Sequence, residues 1–136
     1  MRRTILGLVL ALTAATALVA GCNQSSSASG LTGRDWEWTS STGTFIGGLP
    51  DPTKYTITFA TDGSFASKVD CNNVAGTYTT TSAGGITILP GPTTLVACPP
   101  GSLEQPFLAG LSSATNYQVT ASELILTGPG GTMTFN

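Results

Sequence analysis

Histidine is absent from the 136-residue chain. That absence excludes a Ser-His-Asp triad, a Cys-His dyad and every zinc site built on imidazole. It also removes the side chain most used for proton transfer near neutral pH. Charge is scarce too: charged residues make up 9% of the sequence and the formal net charge is -2. Without Arg2 and Arg3 the remaining basic residues are Arg34, Lys54 and Lys68 against seven acids, and -2 becomes -4. Such a chain has no basic patch for phosphate backbones or anionic lipid headgroups, so nucleic acid is not an expected partner. Also missing are an internal repeat, a Cys-x-x-Cys pair and an apolar run of the roughly 20 residues that span a bilayer. Solubility has to come from hydroxyls and amides.

What is present first fixes location. Arg2 and Arg3 precede the apolar run from Ile5 to Leu18, and Leu18-Val19-Ala20-Gly21-Cys22 closes it with small residues and a cysteine. A basic start, a short apolar run and a small-residue cleavage site make a secretory signal peptide. The cysteine directly after it resembles a bacterial lipobox, in which Cys22 is acylated and becomes the mature N-terminus. A plain cleaved signal that leaves Cys22 as a free thiol is the alternative. Two or more acyl chains anchor durably, at about 0.8 kcal/mol per buried CH₂. The expected organisation is a leader over 1–21, a Ser-rich tether over 22–30 (NQSSSASG after Cys22) and one domain over 31–136. Eight tether residues in a flexible coil average about 16 Å end to end. The expected site of action is the extracytoplasmic side of the bacterial envelope, with the membrane as a partner through the lipid on Cys22.

The domain is predicted to be mainly β: a small, incompletely closed antiparallel barrel of seven or eight short strands with one α-helix. Tyr55, Ile57 and Phe59 alternate with polar residues over 54–59 and share a strand face. Thr61-Asp62-Gly63-Ser64 supplies a turn into a returning strand over 65–70. Further strands are expected over 34–40, 75–81, 86–89, 116–120, 124–127 and 132–135, separated by Gly, Pro, Asn and Ser. Leu103, Phe107, Leu108 and Leu111 repeat at helical spacing over 102–112. Ser102 with Gln105 matches a capping box, although Pro106, tolerated only in a first turn, draws the start toward Glu104. This helix is expected to plug an open face of the curved sheet.

Cys71 and Cys98 form the remaining pair. Outside the cytosol two cysteines in a small domain most often form a disulfide; two buried thiols or two metal ligands are the other readings.

The ordered set Asp62-Gly63-Ser64-Phe65, Cys71-Asn72-Asn73 and Gly76-Thr77-Tyr78 resembles the META domain, the HslJ-like heat-shock lipoprotein family. Trp36 near the start, Ala97-Cys98 before a helix with Glu104, Phe107 and Leu111, then Tyr117-Gln118-Val119, Glu123-Leu124-Ile125-Leu126, Gly130-Gly131 and Phe135 extend the likeness across 31–136. The chain departs from the family at Ser67-Lys68-Val69-Asp70, where glycines are usual, so a looser turn is expected there. The resemblance implies a compact β domain with one helix, bacterial envelope attachment, and association with heat shock or antibiotic resistance. It brings no catalytic residues and no cofactor. Its motif residues take structural roles: Cys71 and Cys98 as a staple, Asn72 as a turn former, Gly76 for close backbone approach and Tyr78 as core.

The functional expectation is a non-enzymatic, membrane-anchored domain that supports envelope integrity or stress tolerance by binding an envelope protein or another envelope component. Two alternatives remain. One is a carrier of a small apolar or lipid ligand, with Tyr55, Phe59, Phe65, Tyr78 and Phe107 as pocket walls or, more simply, as core. The other is a hydrolase inhibitor that inserts the loop Gly47-Gly48-Leu49-Pro50-Asp51-Pro52, stiffened by its prolines. A glycosidase-like carboxylate pair, Asp35 with Glu37 or Asp62 with Asp70, is the enzyme reading; solvated surface acids explain these residues better. Trp36 and Trp38 lie on the face opposite Asp35 and Glu37, where one of them is expected to anchor the core.

Overall fold

The computed structural model describes residues 30–44 and 51–136. The leader, Cys22, the tether through residue 29 and the loop at 47–50 lie outside the described residues.

Eight strands form one antiparallel sheet: β1 (Asp35–Gly43), β2 (Tyr55–Phe59), β3 (Ser64–Val69), β4 (Asn72–Thr80), β5 (Ile86–Thr93), β6 (Asn116–Val119), β7 (Leu124–Gly128) and β8 (Gly131–Phe135). Their spatial order is β5-β4-β3-β2-β1-β8-β7-β6. β1 joins the two halves, because Asp35 to Glu37 pair with β2 while Trp38 to Gly43 pair with β8 across an irregularity at Trp38/Ser40. A shift of this kind adds local twist, and the sheet curls into a half-barrel. The two edge strands meet where each begins: the Ile86 N–H donates to the Thr115 carbonyl at 3.0 Å and the Tyr117 N–H to the Gly84 carbonyl at 2.9 Å. Along the rest of the seam the helix α1 (Glu104–Ser113) packs against β5, β7 and β8. An incompletely closed barrel with one helix in its open side is therefore the fold.

Inward positions follow the strand period of two. Tyr55, Ile57 and Phe59 on β2, Phe65 and Val69 on β3, Val74 and Tyr78 on β4, Leu124 and Leu126 on β7, and Met133 and Phe135 on β8 are all buried. Trp36 and Trp38 are both buried, not one alone. The indole N–H of Trp36 donates to the Leu31 carbonyl at 2.9 Å and that of Trp38 to the Ser40 carbonyl at 3.0 Å, so each buried ring has its polar atom satisfied. Gly76 lies opposite Pro90, where a Cβ would come within 2.3 Å of the Leu89 carbonyl oxygen and 2.6 Å of the Phe65 ring. The close approach read from the motif is real.

Three local expectations are corrected. β5 does not stop at Leu89 but continues through Pro90 to Thr93. The Ile86 N–H points away from β4, so residues two apart do the same, and Pro90 removes a donor that β4 never used. The helix starts at Glu104 with Leu103 as its N-cap, and no capping box forms: Ser102 Oγ instead accepts the Glu104 N–H at 3.3 Å. Pro106 thereby falls in the first turn. Finally, β3 and β4 are joined as tightly as two residues allow, with Val69 opposite Asn72. Asp70 takes the left-handed conformation, φ 58, that glycine usually supplies. Its N–H donates to the Lys54 carbonyl at 2.7 Å and its carboxylate lies 3.4 Å from Lys54 Nζ, which holds that conformation in place.

Candidate functional site

The tight turn at Asp70-Cys71 places Cys71 and Asn72 at the rim of the half-barrel, beside the loop that leaves β5. Cys71 is bonded to Cys98, with Cα atoms 5.5 Å apart; this settles the pair as a disulfide, not as free thiols or metal ligands. A 27-residue separation gives about 3.6 kcal/mol in the chain-entropy model.

Asn72 is not a turn former. It is the first inward-facing residue of β4 and 2% exposed. Its Oδ1 accepts the Val96 N–H at 2.9 Å and the Thr94 hydroxyl at 3.1 Å. Its Nδ2 donates to the Val96 carbonyl at 3.0 Å and to the Glu104 carboxylate, 3.2 and 3.1 Å from its two oxygens. The amide thus grips both main-chain groups of Val96 and ties them to the first turn of α1, where a carboxylate also suits the helix dipole. Only an amide can do this: an aspartate would set a second acceptor against Glu104 and the Val96 carbonyl. Thr94 completes the brace. Its N–H donates to the Asn73 carbonyl at 3.1 Å, and its hydroxyl accepts the Asn73 N–H at 2.9 Å. From the other side the Tyr55 hydroxyl accepts the Leu103 N–H at 2.8 Å. No buried side-chain nitrogen or oxygen among the described residues lacks a partner.

This polar knot carries an apolar load. Leu95 is 96% exposed and Val96 59%. Exposed single hydrophobes are common and need no cause. Two adjacent ones on a loop fixed by a disulfide and a buried amide are a presented surface.

The five aromatic residues read as pocket walls sit in the core against one another. Phe59 packs on Tyr78 at 4.7 Å and on Phe65 at 6.3 Å between ring centroids. Tyr55 and Phe107 lie 5.6 Å apart, with Trp38 against both. Two surface hollows lie elsewhere. One of about 480 Å³ lies on the outer face over Thr56, Thr58, Ala66, Lys68, Asn73 and Thr93; another of about 410 Å³ lies near Thr79, Ile86 and Ser113. None of the five lines either. Three of the four acids of the enzyme reading have side-chain partners: Asp35 accepts from the Thr58 hydroxyl, Asp62 from Ser64, and Asp70 pairs with Lys54. The Ser64 hydroxyl, at 2.6 Å, holds the Asp62 carboxyl below its ordinary range, and the Thr53 hydroxyl does the same for Asp51. Burial pushes the Tyr78 phenol up.

The knot of Asn72, Thr94 and Glu104 is what sequence reasoning missed. A signal was available: Asn72 shares the parity of Val74 and Tyr78, and an inward polar side chain on a strand needs buried partners.

Fold and site together define a helix-plugged β half-barrel with a stapled loop at its rim. The chain belongs to the META domain family, whose profile matches residues 29–136. Membership is consistent with a place in the bacterial envelope. Among curated proteins none matches the chain. Among solved structures, a DUF4847 family protein from Bacteroides vulgatus is similar at 18% identity and TM-score 0.61, covering 79% of this chain and 94% of its own. A protein from Burkholderia xenovorans, solved by NMR, is similar at 23% identity and TM-score 0.60, covering 78% and 82%. At these identities the likeness speaks for the fold.

Proposed function

We propose that this chain is a lipid-tethered, non-enzymatic domain of the bacterial envelope that supports envelope integrity or stress tolerance by holding a partner protein at its rim loop. The observation that carries the reading is the exposure of Leu95 and Val96 on a backbone braced by Asn72, Thr94 and the Cys71–Cys98 bond. Binding through a loop already fixed avoids much of the ordering entropy that a mobile loop loses. The lipobox-like Leu18 to Cys22 and the Ser-rich tether support attachment, and the lack of histidine supports contact over chemistry.

The test has two parts. Mass spectrometry of the mature N-terminus should find Cys22 acylated; an unmodified thiol overturns the tether. Photo-crosslinking residues placed singly at Thr79, Thr87, Leu95 and Ser122, in cells that make the protein, should give a protein adduct. The absence of an adduct from all four positions overturns the binding role.

A further inference from the structure

The rim loop has a second property, in its main chain. Thr94 and Val96 spend their N–H groups inward, on the Asn73 carbonyl and on Asn72 Oδ1, and the Val96 carbonyl is taken by Asn72 Nδ2. Leu95 and Ala97, which alternate with them, make no main-chain hydrogen bond among the described residues. One main-chain bond and the Asn72 side-chain amide thus hold Thr94 and Val96, while the main-chain groups of Leu95 and Ala97 are open among the described residues. Neighbouring segments are closed to pairing: Pro90 and Pro92 remove donors from β5, and Pro99 and Pro100 follow Cys98. Prolines of this kind protect exposed edges from adding further strands. The protection is interrupted at 94–98.

We propose that Thr94 to Cys98 is a docking edge to which an extended segment of a partner protein adds as a strand. That segment pairs with the main chain of Leu95 and Ala97 and covers the side chains of Leu95 and Val96 with apolar side chains of its own. This rests on the binding role above and names its kind of partner. In strand addition main-chain bonds supply affinity and side-chain contacts supply selectivity, and both are offered within the same few residues. A bilayer is the poorer occupant, since an unpaired N–H or C=O costs several kcal/mol in hydrocarbon. The tether also joins at the far end of the barrel: Thr32 bridges to Phe59, whereas the loop lies beyond the Tyr55–Val69 end of the same strands.

The experiment uses the full chain, made with its own leader and purified in detergent, against a displayed library of random nine-residue peptides. Selected peptides should carry apolar residues at adjacent positions, one for the Leu95 side and one for the Val96 side. In amide exchange they should protect Leu95 and Ala97, which exchange freely without them. Leu95→Ser, at an exposed position that does not bear on folding, should weaken the selected peptides about ten-fold, as loss of one apolar anchor does. Ala97→Pro, which removes one open donor, should do so by a similar factor. Peptides that bind both variants as tightly as the wild type, or that protect amides elsewhere, overturn the proposal. So does an empty selection, a dimer that Leu95→Ser dissolves, or Leu95-dependent binding to phosphatidylethanolamine–phosphatidylglycerol vesicles. A crosslink from Leu95 in cells beside an empty peptide selection would overturn this docking edge and leave the rim-loop binding role standing, whereas crosslinks from Thr79, Thr87 or Ser122 with none from Leu95 would overturn both.

Discussion

The two ends of the β3–β4 hairpin are secured by opposite kinds of interaction. At the end nearer the tether Phe59, Phe65 and Tyr78 pack ring against ring, all three buried, and the one polar group among them, the Tyr78 hydroxyl, is met by the Ala60 carbonyl at 2.7 Å. At the rim the buried group is Asn72, and every one of its bonds has a specific partner. Apolar burial is non-directional and scales with area, so the aromatic end tolerates change of shape. A buried amide is worth little net when satisfied and costs much when it is not. The aromatic end gives stability; the polar end gives one geometry to one loop.

Removing an anchor from the aromatic end should have the largest effect. Phe59→Ala is expected to cost about 3–5 kcal/mol in denaturant unfolding, while amide exchange of 94–98 in the remaining folded protein stays as in the wild type. If the loop loosened as well, the two ends would not be independent. Cys71→Ser with Cys98→Ser comes next, at about 3–4 kcal/mol. The bond from the Val96 N–H to Asn72 Oδ1 should still keep that N–H protected, since it does not involve sulfur. Asn72→Ala sharpens the contrast: it should cost about 1–3 kcal/mol and yet accelerate exchange at Thr94 and Val96 more than either change above. Asn72→Asp should cost more than Asn72→Ala, because it sets two carboxylates together.

The smallest effect lies in acid. Asp62 accepts from Ser64 and Asp51 from Thr53, and both carboxyls are held below the ordinary value of 3.8. A carboxyl lowered in the folded state stabilises it above the unfolded value, and that contribution disappears as the pH falls through the folded one. Asp62→Asn should therefore flatten the stability profile below about pH 4 and lower stability slightly at pH 7, where the wild-type carboxylate makes its full contribution. An unaltered acid limb would place the acid sensitivity elsewhere.

The strands were legible where polar and apolar residues alternate, as at Tyr55, Ile57 and Phe59, because a half-buried strand imposes that period. Proline misled at Pro90, since its penalty depends on which side of the strand its nitrogen faces, and local sequence does not record that. The motif Cys71-Asn72 was visible, and its disulfide followed from compartment and pairing. The role of Asn72 did not follow. Asparagine in a turn bonds to its own neighbours, whereas this one bonds to Thr94, Val96 and Glu104, more than twenty residues away.

By itself the sequence determined the β character, the position of the helix stripe, the scarcity of charge, the missing imidazole and the leader-like start. Each of these is a local or summed property of the chain, carried by neighbours or by counts. Tertiary structure alone decided which loop stands open at the rim, which amide braces it, and which of its main-chain groups stay unpaired. Those depend on segments meeting across the half-barrel, and hydrogen bonds are set by direction and by distances of about 3 Å, which no pattern along one chain encodes.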